Sequence, residues 1–374
     1  MKNLSTFRSR PVAIWLLVGV FMIVVQIILG GITRLTDSGL SITEWKPIMG
    51  ALPPLNEAEW QKAFDRYKGI AQYKQLHSYF TLENFKTIFF WEWFHRLWGR
   101  LIGVVFVIPF VIFLIQKRFS KEMIQPMIIL FLLGGLQGLI GWLMVMSGLN
   151  NEDLYVSHIR LAVHFIAAMG LLVYTFWFAL RLLVDEKSFT ASSKLKSFSL
   201  GIVGLLVVQL VYGAFMAGLK AAVHAPTWPD INGDFLPANM ITHAGKDYGL
   251  FSAFINNPIA VHFIHRNLAY VIVLLIVLWT INAARTSGSR LFQIIKWLPL
   301  FFVLAQVVLG IFTVLTAPKK VPQQWGVFEW TAQVHQFVAM LLLLSLVGTY
   351  FILRKHGNHA VPVAKKNLVV SAYQ

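Results

Sequence analysis

The stretch PVAIWLLVGVFMIVVQIILGGIT, residues 11–33, decides the fold. It carries no charged side chain, and about 20 mostly apolar residues are enough for a helix to cross a bilayer. Over the whole chain of 374 residues, 57% are hydrophobic and only 13% are charged, whereas roughly a quarter of the residues in soluble domains are charged. We therefore predict an integral membrane protein and exclude a disordered chain and a soluble nucleic-acid-binding domain.

Further apolar segments extend this pattern along the chain. A short one, 101–116, becomes long enough to cross if its helix begins near Trp91 and carries polar residues in its outer turns. Eight transmembrane helices in an all-α fold are therefore expected, and an even number places both termini on one side. The remaining charge-free windows are 123–151, 161–180, 197–219, 267–284, 297–318 and 330–353.

The lysines and arginines indicate the orientation. If both termini are cytoplasmic, the inner segments hold a large excess of basic residues and only three acidic ones, Glu122, Asp185 and Glu186. Short cytoplasmic loops carry this excess in membrane proteins, so both termini are predicted to be cytoplasmic. The formal charge of +16 then reflects topology and contact with membrane lipid, not a nucleic-acid partner. Two long loops, about 34–90 and 220–257, face the outer side.

The two halves of the sequence, 1–190 and 191–374, repeat one pattern. Each odd-numbered helix carries Gln-x-x-x-Gly, which we interpret as a packing motif because a small residue lets helices approach and an intramembrane amide bonds across them. Each even-numbered helix carries a histidine near its outer end. We predict two duplicated four-helix bundles. The glutamine–glycine pairs are Gln26/Gly30, Gln137/Gly141, Gln209/Gly213 and Gln306/Gly310, and the histidines are His95, His164, His265 and His335.

Four histidines at similar depth favour metal ligation over ordinary hydrogen bonding. A porphyrin iron takes two axial ligands, and helix bundles build cofactor sites from side chains on facing helices. Each half is therefore predicted to hold one haem iron, between His95 and His164 or between His265 and His335. Zinc is a poorer match, because each pair offers too few ligands. Four further histidines are expected to be solvated: His77, His158, His224 and His243.

Residues next to the candidate ligands distinguish the halves. Arg96 and Arg266 directly follow a ligand and suit haem propionates, although snorkelling to the interface explains them equally well. Three residues before the ligand, the first half has Glu92 and the second half has His262, a candidate hydrogen-bond donor. A carboxylate beside just one of the two haems favours chemistry in the first half. The alternative is an ion pair of Glu92 with Arg96 or with Arg100.

Together these features resemble the haem A synthase family, membrane enzymes that convert haem O into haem A for cytochrome oxidase. The resemblance covers nearly the whole chain. The long first outer loop and the absence of cysteine look like the branch of many Gram-negative bacteria and mitochondria. The motifs are GGITRLTDSGLS at 30–41, EWFHRLWGR at 92–100, RLAVH at 160–164, HFIHR at 262–266 and VHQ at 334–336.

The resemblance implies a role for each half. His95 and His164 would flank haem O in the first half, with Glu92 as the acidic residue of the catalytic site, and His265 and His335 would ligate a haem b in the second. A ring methyl of haem O would become a formyl group through successive hydroxylations with oxygen from water.

The resemblance also implies a location and a partner. We expect the protein to lie in the cell inner membrane, with the long loops on the periplasmic side, and to have a haem O synthase as partner. The electron acceptor is not identified, a quinone being one candidate, and a homo-oligomer is compatible with the sequence. The main alternative is a two-haem transmembrane electron-transfer cytochrome without substrate chemistry, which gives no reason for Glu92 or the long loops.

Overall fold

The computed structural model describes residues 6–46, 49–119, 121–150, 152–321 and 324–354. In these residues the fold is almost entirely helical, with one short hairpin of β1 (Thr242–His243) and β2 (Lys246–Asp247). The helices are α1 (Thr6–Leu35), α2 (Glu57–Lys68), α3 (Ala71–Leu76), α4 (Leu82–Ile115), α5 (Lys121–Met146), α6 (His158–Leu183), α7 (Ser193–Gly218), α8 (Ala221–His224), α9 (Leu250–Asn256), α10 (Pro258–Ala284), α11 (Arg290–Ile295), α12 (Leu298–Thr316) and α13 (Val327–Ile352).

Eight helices in the described chain are long and apolar enough to cross a membrane, which confirms the predicted all-α membrane fold. They are α1, α4, α5, α6, α7, α10, α12 and α13, with α11 extending the seventh. The termini predicted to be cytoplasmic, 1–5 and 355–374, lie outside the described residues.

Two spanning helices begin earlier than the charge-free windows predict. α4 begins at Leu82, where Thr81 and Asn84 form a capping box, and not near Trp91. α10 begins at Pro258 and is capped by the Asn257 side chain, which accepts from the amide of Ile259 at 2.9 Å. Caps satisfy the free N–H groups of a helix end and so set its first residue, whereas hydropathy marks only the apolar part.

The helices of each half pack in the same order. In the first half α1 packs on α4 and α6, and α6 packs on α5, while contacts between α4 and α5 are sparse. In the second half α7 packs on α10 and α13, and α13 packs on α12. This common arrangement is what a duplicated origin of the halves would produce, and that origin stays a prediction.

The halves meet through α1, α6, α7 and α13. α13 lies against both α1 and α6, and α6 lies against α7. One apolar core runs across this interface, with Met169 and Leu172 of the first half packed with Leu206 and Leu346 of the second. Gln336 also donates from Nε2 to the carbonyl of Ile27 at 3.0 Å.

The first outer loop folds into an aromatic cluster above the bundle. Phe64 and Phe85 stack with ring centroids 5.0 Å apart. His77, expected to be solvated, is instead 7% exposed and stacks on Phe80 at 4.1 Å. Its Nδ1 bonds the Tyr67 hydroxyl at 2.6 Å. That expectation was wrong because α2 and α3 enclose the ring, and burial lowers the pKa of His77 and favours its neutral form.

A cluster of charges connects the halves at the end of the bundle that carries the long loops. Asp37, just after α1, lies 3.5 Å from Arg34, 3.2 Å from Lys220 after α7 and 3.6 Å from Lys320 after α12. Burial by itself raises the pKa of Asp37, but the three cations outweigh it, and the net pKa is lowered. Burial lowers the pKa of Lys220 to about 8 despite the opposing effect of Asp37. Its ammonium also lies 3.7 Å from the centroid of the Tyr155 ring.

Asp37→Asn should destabilise the protein, because it leaves three clustered cations without their carboxylate. We expect a loss of about 1–3 kcal/mol, less than the ~3–5 kcal/mol for breaking a fully buried pair. Unfolding in detergent followed by circular dichroism measures this loss. The pKa of Asp37 is lowered in the folded state. The difference in unfolding free energy between the wild type and Asp37→Asn should therefore be full above the pKa of the carboxyl group in the unfolded chain. It should vanish as the pH falls through the pKa of Asp37 in the folded protein.

The matched control for this prediction is Asp65→Asn. Asp65 pairs with Lys68 at 2.9 Å on the surface of α2, with 57% of its side chain exposed, and exposed pairs contribute little. Equal stability of the two variants would contradict a structural role for the charge cluster.

Candidate functional site

Glu92 is buried near the start of α4 and is held by three donors. Only 3% of it is exposed. Its Oε2 accepts from Ser41 Oγ at 2.7 Å and from the amide of Ile42 at 2.8 Å, and its Oε1 accepts from Arg96 Nη2 at 2.5 Å. The carboxylate thus joins α4 to the first outer loop, and its ion pair with Arg96 is present.

Arg96 completes this connection on the neighbouring turn of α4. Its Nη2 donates to the carbonyl of Ile42 at 2.9 Å and its Nη1 to the carbonyl of Glu44 at 3.2 Å. We call Glu92 and Arg96 with residues 41–44 the Glu92–Arg96 clamp. The sequence left two roles open for Arg96, pairing with a haem propionate and snorkelling to the interface; in the structure its two terminal nitrogens bond Glu92 and the loop.

The second half has a clamp of the same form with different chemistry. Arg266 donates to the carbonyl of Thr227 at 2.8 Å, to that of Pro229 at 3.0 Å and to that of Asp230. Its Nη2 also lies 2.9 Å from Nε2 of His262. Because a guanidinium only donates, His262 accepts this bond, and the expectation that it donates was wrong at this atom.

The four candidate histidines lie on α4, α6, α10 and α13, and each lies against the glycine of a Gln-x-x-x-Gly motif on the spanning helix before it. A Cβ on that glycine would come within ordinary or tight contact of the imidazole Cε1. The glycine therefore makes room for the ring, a specific purpose beyond general helix packing. The distances from such a Cβ are 3.3 Å for Gly30 and His95, 3.0 Å for Gly141 and His164, 3.5 Å for Gly213 and His265, and 3.2 Å for Gly310 and His335.

The glutamines of three motifs bond the backbone of the same histidines. Nε2 donates to the carbonyl of the histidine from Gln26 at 3.2 Å, from Gln209 at 3.0 Å and from Gln306 at 2.7 Å. Glutamine and glycine thus fix one histidine together. The sequence contains a signal for this contact, because each spanning helix with the Gln-x-x-x-Gly motif is followed by a spanning helix with one of the four histidines.

The histidines of each half lie close together. The imidazoles of His95 and His164 interact electrostatically, as do those of His265 and His335. Nδ1 of His164, His265 and His335 is buried, and no part of the described chain offers it a hydrogen bond. Buried polar atoms are rarely left unpaired. The described residues hold no group of three or more His, Asp or Glu suited to a metal ion.

Comparison with known proteins places this arrangement in a family. The family model for cytochrome oxidase assembly protein matches residues 13–347. A haem A synthase of Rhodospirillum centenum is 44% identical over 354 residues, covering 94% of this chain and 90% of the relative. One of Rhodopseudomonas palustris is 42% identical over 339 residues (90% and 87%), and one of Flavobacterium johnsoniae is 36% identical over 359 residues (93% and 99%).

Glu92→Ala should release the first outer loop from α4. Amide exchange in residues 41–44 should become about ten- to a hundredfold faster, because hydrogen bonds to charged groups contribute ~1.5–3 kcal/mol each. Hydrogen–deuterium exchange with mass spectrometry measures this. Glu83→Ala is the control, since Glu83 on the same helix pairs with Lys86 while its side chain is 82% exposed. Unchanged exchange in residues 41–44 would show that the clamp does not hold the loop.

Proposed function

The chain belongs to the haem A synthase family of cytochrome oxidase assembly proteins, and from this membership we propose that it is an oxidoreductase that converts a ring methyl of haem O into the formyl group of haem A. The observation that carries the proposal is the pair of histidines in each half, each lying against the glycine of a Gln-x-x-x-Gly motif. Two such pairs provide for one substrate haem and one resident haem.

The second half fits a resident haem b. His265 and His335 are half-buried neighbours, and Nδ1 of each is buried and without a partner in the described chain. A Cβ on Gly310 would lie 3.2 Å from His335 Cε1, tighter than most real contacts, and one on Gly213 would lie 3.5 Å from His265 Cε1, an ordinary contact. His265 and His335 would hold the iron, and the bound haem b supplies one-electron transfer. His262 is already bonded to Arg266, which favours His265 as the ligand.

The first half is the substrate site in this proposal. His95 and His164 would bind the iron of haem O and hold its macrocycle in the bundle. The methyl group and a water give a hydroxymethyl group, two protons and two electrons. A second water and a second loss of two protons and two electrons give a geminal diol, which releases water to leave the formyl group. The electrons pass to an acceptor, for which a quinone is one candidate.

Glu92 is the residue that distinguishes the first half chemically. A negative group in a water-poor site stabilises developing positive charge, and loss of electrons from the methyl carbon creates such charge. Three donors hold the Glu92 carboxylate in place. We therefore assign it electrostatic stabilisation of the oxidised carbon, with proton acceptance as the second option. His262 at the corresponding position supplies no negative charge.

The proposal also sets a location. The eight spans belong in the cell inner membrane with the long loops in the periplasm, as the distribution of basic residues predicts. A haem O synthase in the same membrane would deliver the substrate.

The decisive experiment identifies the haems bound to the purified protein. We expect haem b under all conditions, and haem O, haem A or a hydroxylated intermediate only when a haem O synthase is co-expressed. Extraction, chromatography and mass spectrometry identify them. Haem b alone, at two per chain with or without the synthase, would instead establish the electron-transfer cytochrome.

Substitution of the histidines tests the division between the halves. His95→Ala and His164→Ala should abolish haem A while leaving haem b, and His265→Ala and His335→Ala should lose haem b. Glu92→Gln should keep both haems bound and stall the oxidation. Normal haem A output from Glu92→Gln would refute its catalytic role.

A further inference from the structure

A cavity of about 240 Å³ lies inside the first half, on the inner side of His95. It is bounded by α1, α4, α5 and α6 and lined by apolar side chains, apart from Thr175. Its lining begins at Gly99, about one turn of α4 beyond His95, and reaches Phe106. At ~1.5 Å per residue, the distance from His95 to Phe106 along the helix is roughly 16 Å.

Glycines create this cavity. Five of them line it, from three of its four helices. A Cβ on Gly103, Gly134 or Gly135 would meet nothing within 4 Å. Close packing therefore does not explain these glycines, and glycine in a helix interior lowers stability relative to alanine. The five glycines are Gly19, Gly99, Gly103, Gly134 and Gly135.

The second half carries larger side chains at the positions of these glycines; two of them, Val273 and Leu304, line a shallow surface groove between α10 and α12. At the same offsets from the repeated glutamines and histidines, larger residues replace all five glycines. Ile202 and Val303 are 1% and 3% exposed and belong to the continuous core with Ile272, Ile276 and Leu342. The five counterparts, in the order of the glycines, are Ile202, Ala269, Val273, Val303 and Leu304.

We infer that the first-half cavity receives the isoprenoid chain of haem O, an inference that rests on the function proposed above. Haem O carries a long farnesyl-derived hydrocarbon chain, and haem b does not. A protein that binds one of each needs a long apolar space beside the first histidine pair only. Apolar cavities remain dry and bind apolar ligands. The cavity thus selects the substrate, while the packed second half accepts only a haem without the chain.

The cavity opens toward the lipid between α4 and α5, where the helices make few contacts. Phe131, on its edge, is 49% exposed. A chain already dissolved in the bilayer therefore reaches the cavity sideways, and the macrocycle follows it to the histidines.

The second half has a groove of about 470 Å³ between α10 and α12, but this groove is different in kind. It is shallow, and residues that line it, Tyr270, Leu274 and Val308, are 42%, 58% and 52% exposed. It lies on the lipid-facing surface and not inside the bundle, so it matches bulk lipid chains better than one specific chain.

Filling the cavity with the residues of the second half tests the inference. Gly103→Val, Gly134→Val and Gly135→Leu add side chains where a Cβ meets open space. Each variant is co-expressed with a haem O synthase and purified, and the haem O plus haem A bound per haem b is measured by chromatography. We expect at least a tenfold fall in this ratio, with haem b content and melting temperature unchanged.

Gly170→Val is the matched control, because Gly170 on α6 also faces open space but does not line the cavity. The haem O plus haem A bound per haem b in this variant should equal that of the wild type. Wild-type ratios in the filled variants would overturn the inference. Absence of haem O and haem A from the wild-type protein would instead overturn the proposed function.

A graded series covers the case in which a filled variant also loses haem b. Gly135→Ala, Gly135→Val and Gly135→Leu should lower the bound haem O stepwise with side-chain volume while haem b stays constant. Haem O occupancy that does not depend on volume would overturn the inference.

Discussion

The placement of four imidazoles inside an apolar bundle is the constraint on which the rest of the structure depends. A histidine in a membrane helix needs space for its ring and a defined position of its backbone. A glycine on the preceding helix supplies the space, and in three of the four cases a glutamine one turn earlier bonds the histidine carbonyl. This contact joins consecutive spanning helices in pairs: α1 with α4, α5 with α6, α7 with α10 and α12 with α13.

Hydropathy was enough to predict the eight spans, because it is a local property of the sequence. The ligand role of the four histidines, which rests on their spacing, stays a prediction. The first residues of α4 and α10 could not be read this way, since caps at Thr81 and Asn257 extend each helix beyond its apolar window. The contacts of Glu92 with the loop also could not be predicted from the sequence. They join residues some 50 positions apart, at 41–44 and 92–96, and the sequence records no such pairing. His77 was misjudged for the same reason, because its burial depends on how the loop folds.

The two halves share a helix order but differ in charge and in volume. The first clamp combines a carboxylate with a guanidinium, whereas the second combines an imidazole acceptor with a guanidinium. The first bundle keeps glycines where the second has large aliphatic residues. The volume difference leaves the first bundle with a cavity bounded by α1, α4, α5 and α6, whereas Ile202 and Val303 of the second bundle are part of its apolar core. Specialisation of this kind is expected when two similar bundles are placed under different demands.

The side opening between α4 and α5 has a practical consequence for handling the protein. An apolar cavity that opens into its solvent is filled by whatever chains that solvent supplies, and in a micelle these are the alkyl tails of the detergent. Such a tail is the same kind of molecule as a hydrocarbon ligand and is present at far higher concentration. Solubilisation therefore adds a competitor to every measurement on the first half, and the choice of detergent or lipid nanodisc becomes a variable of the experiment itself.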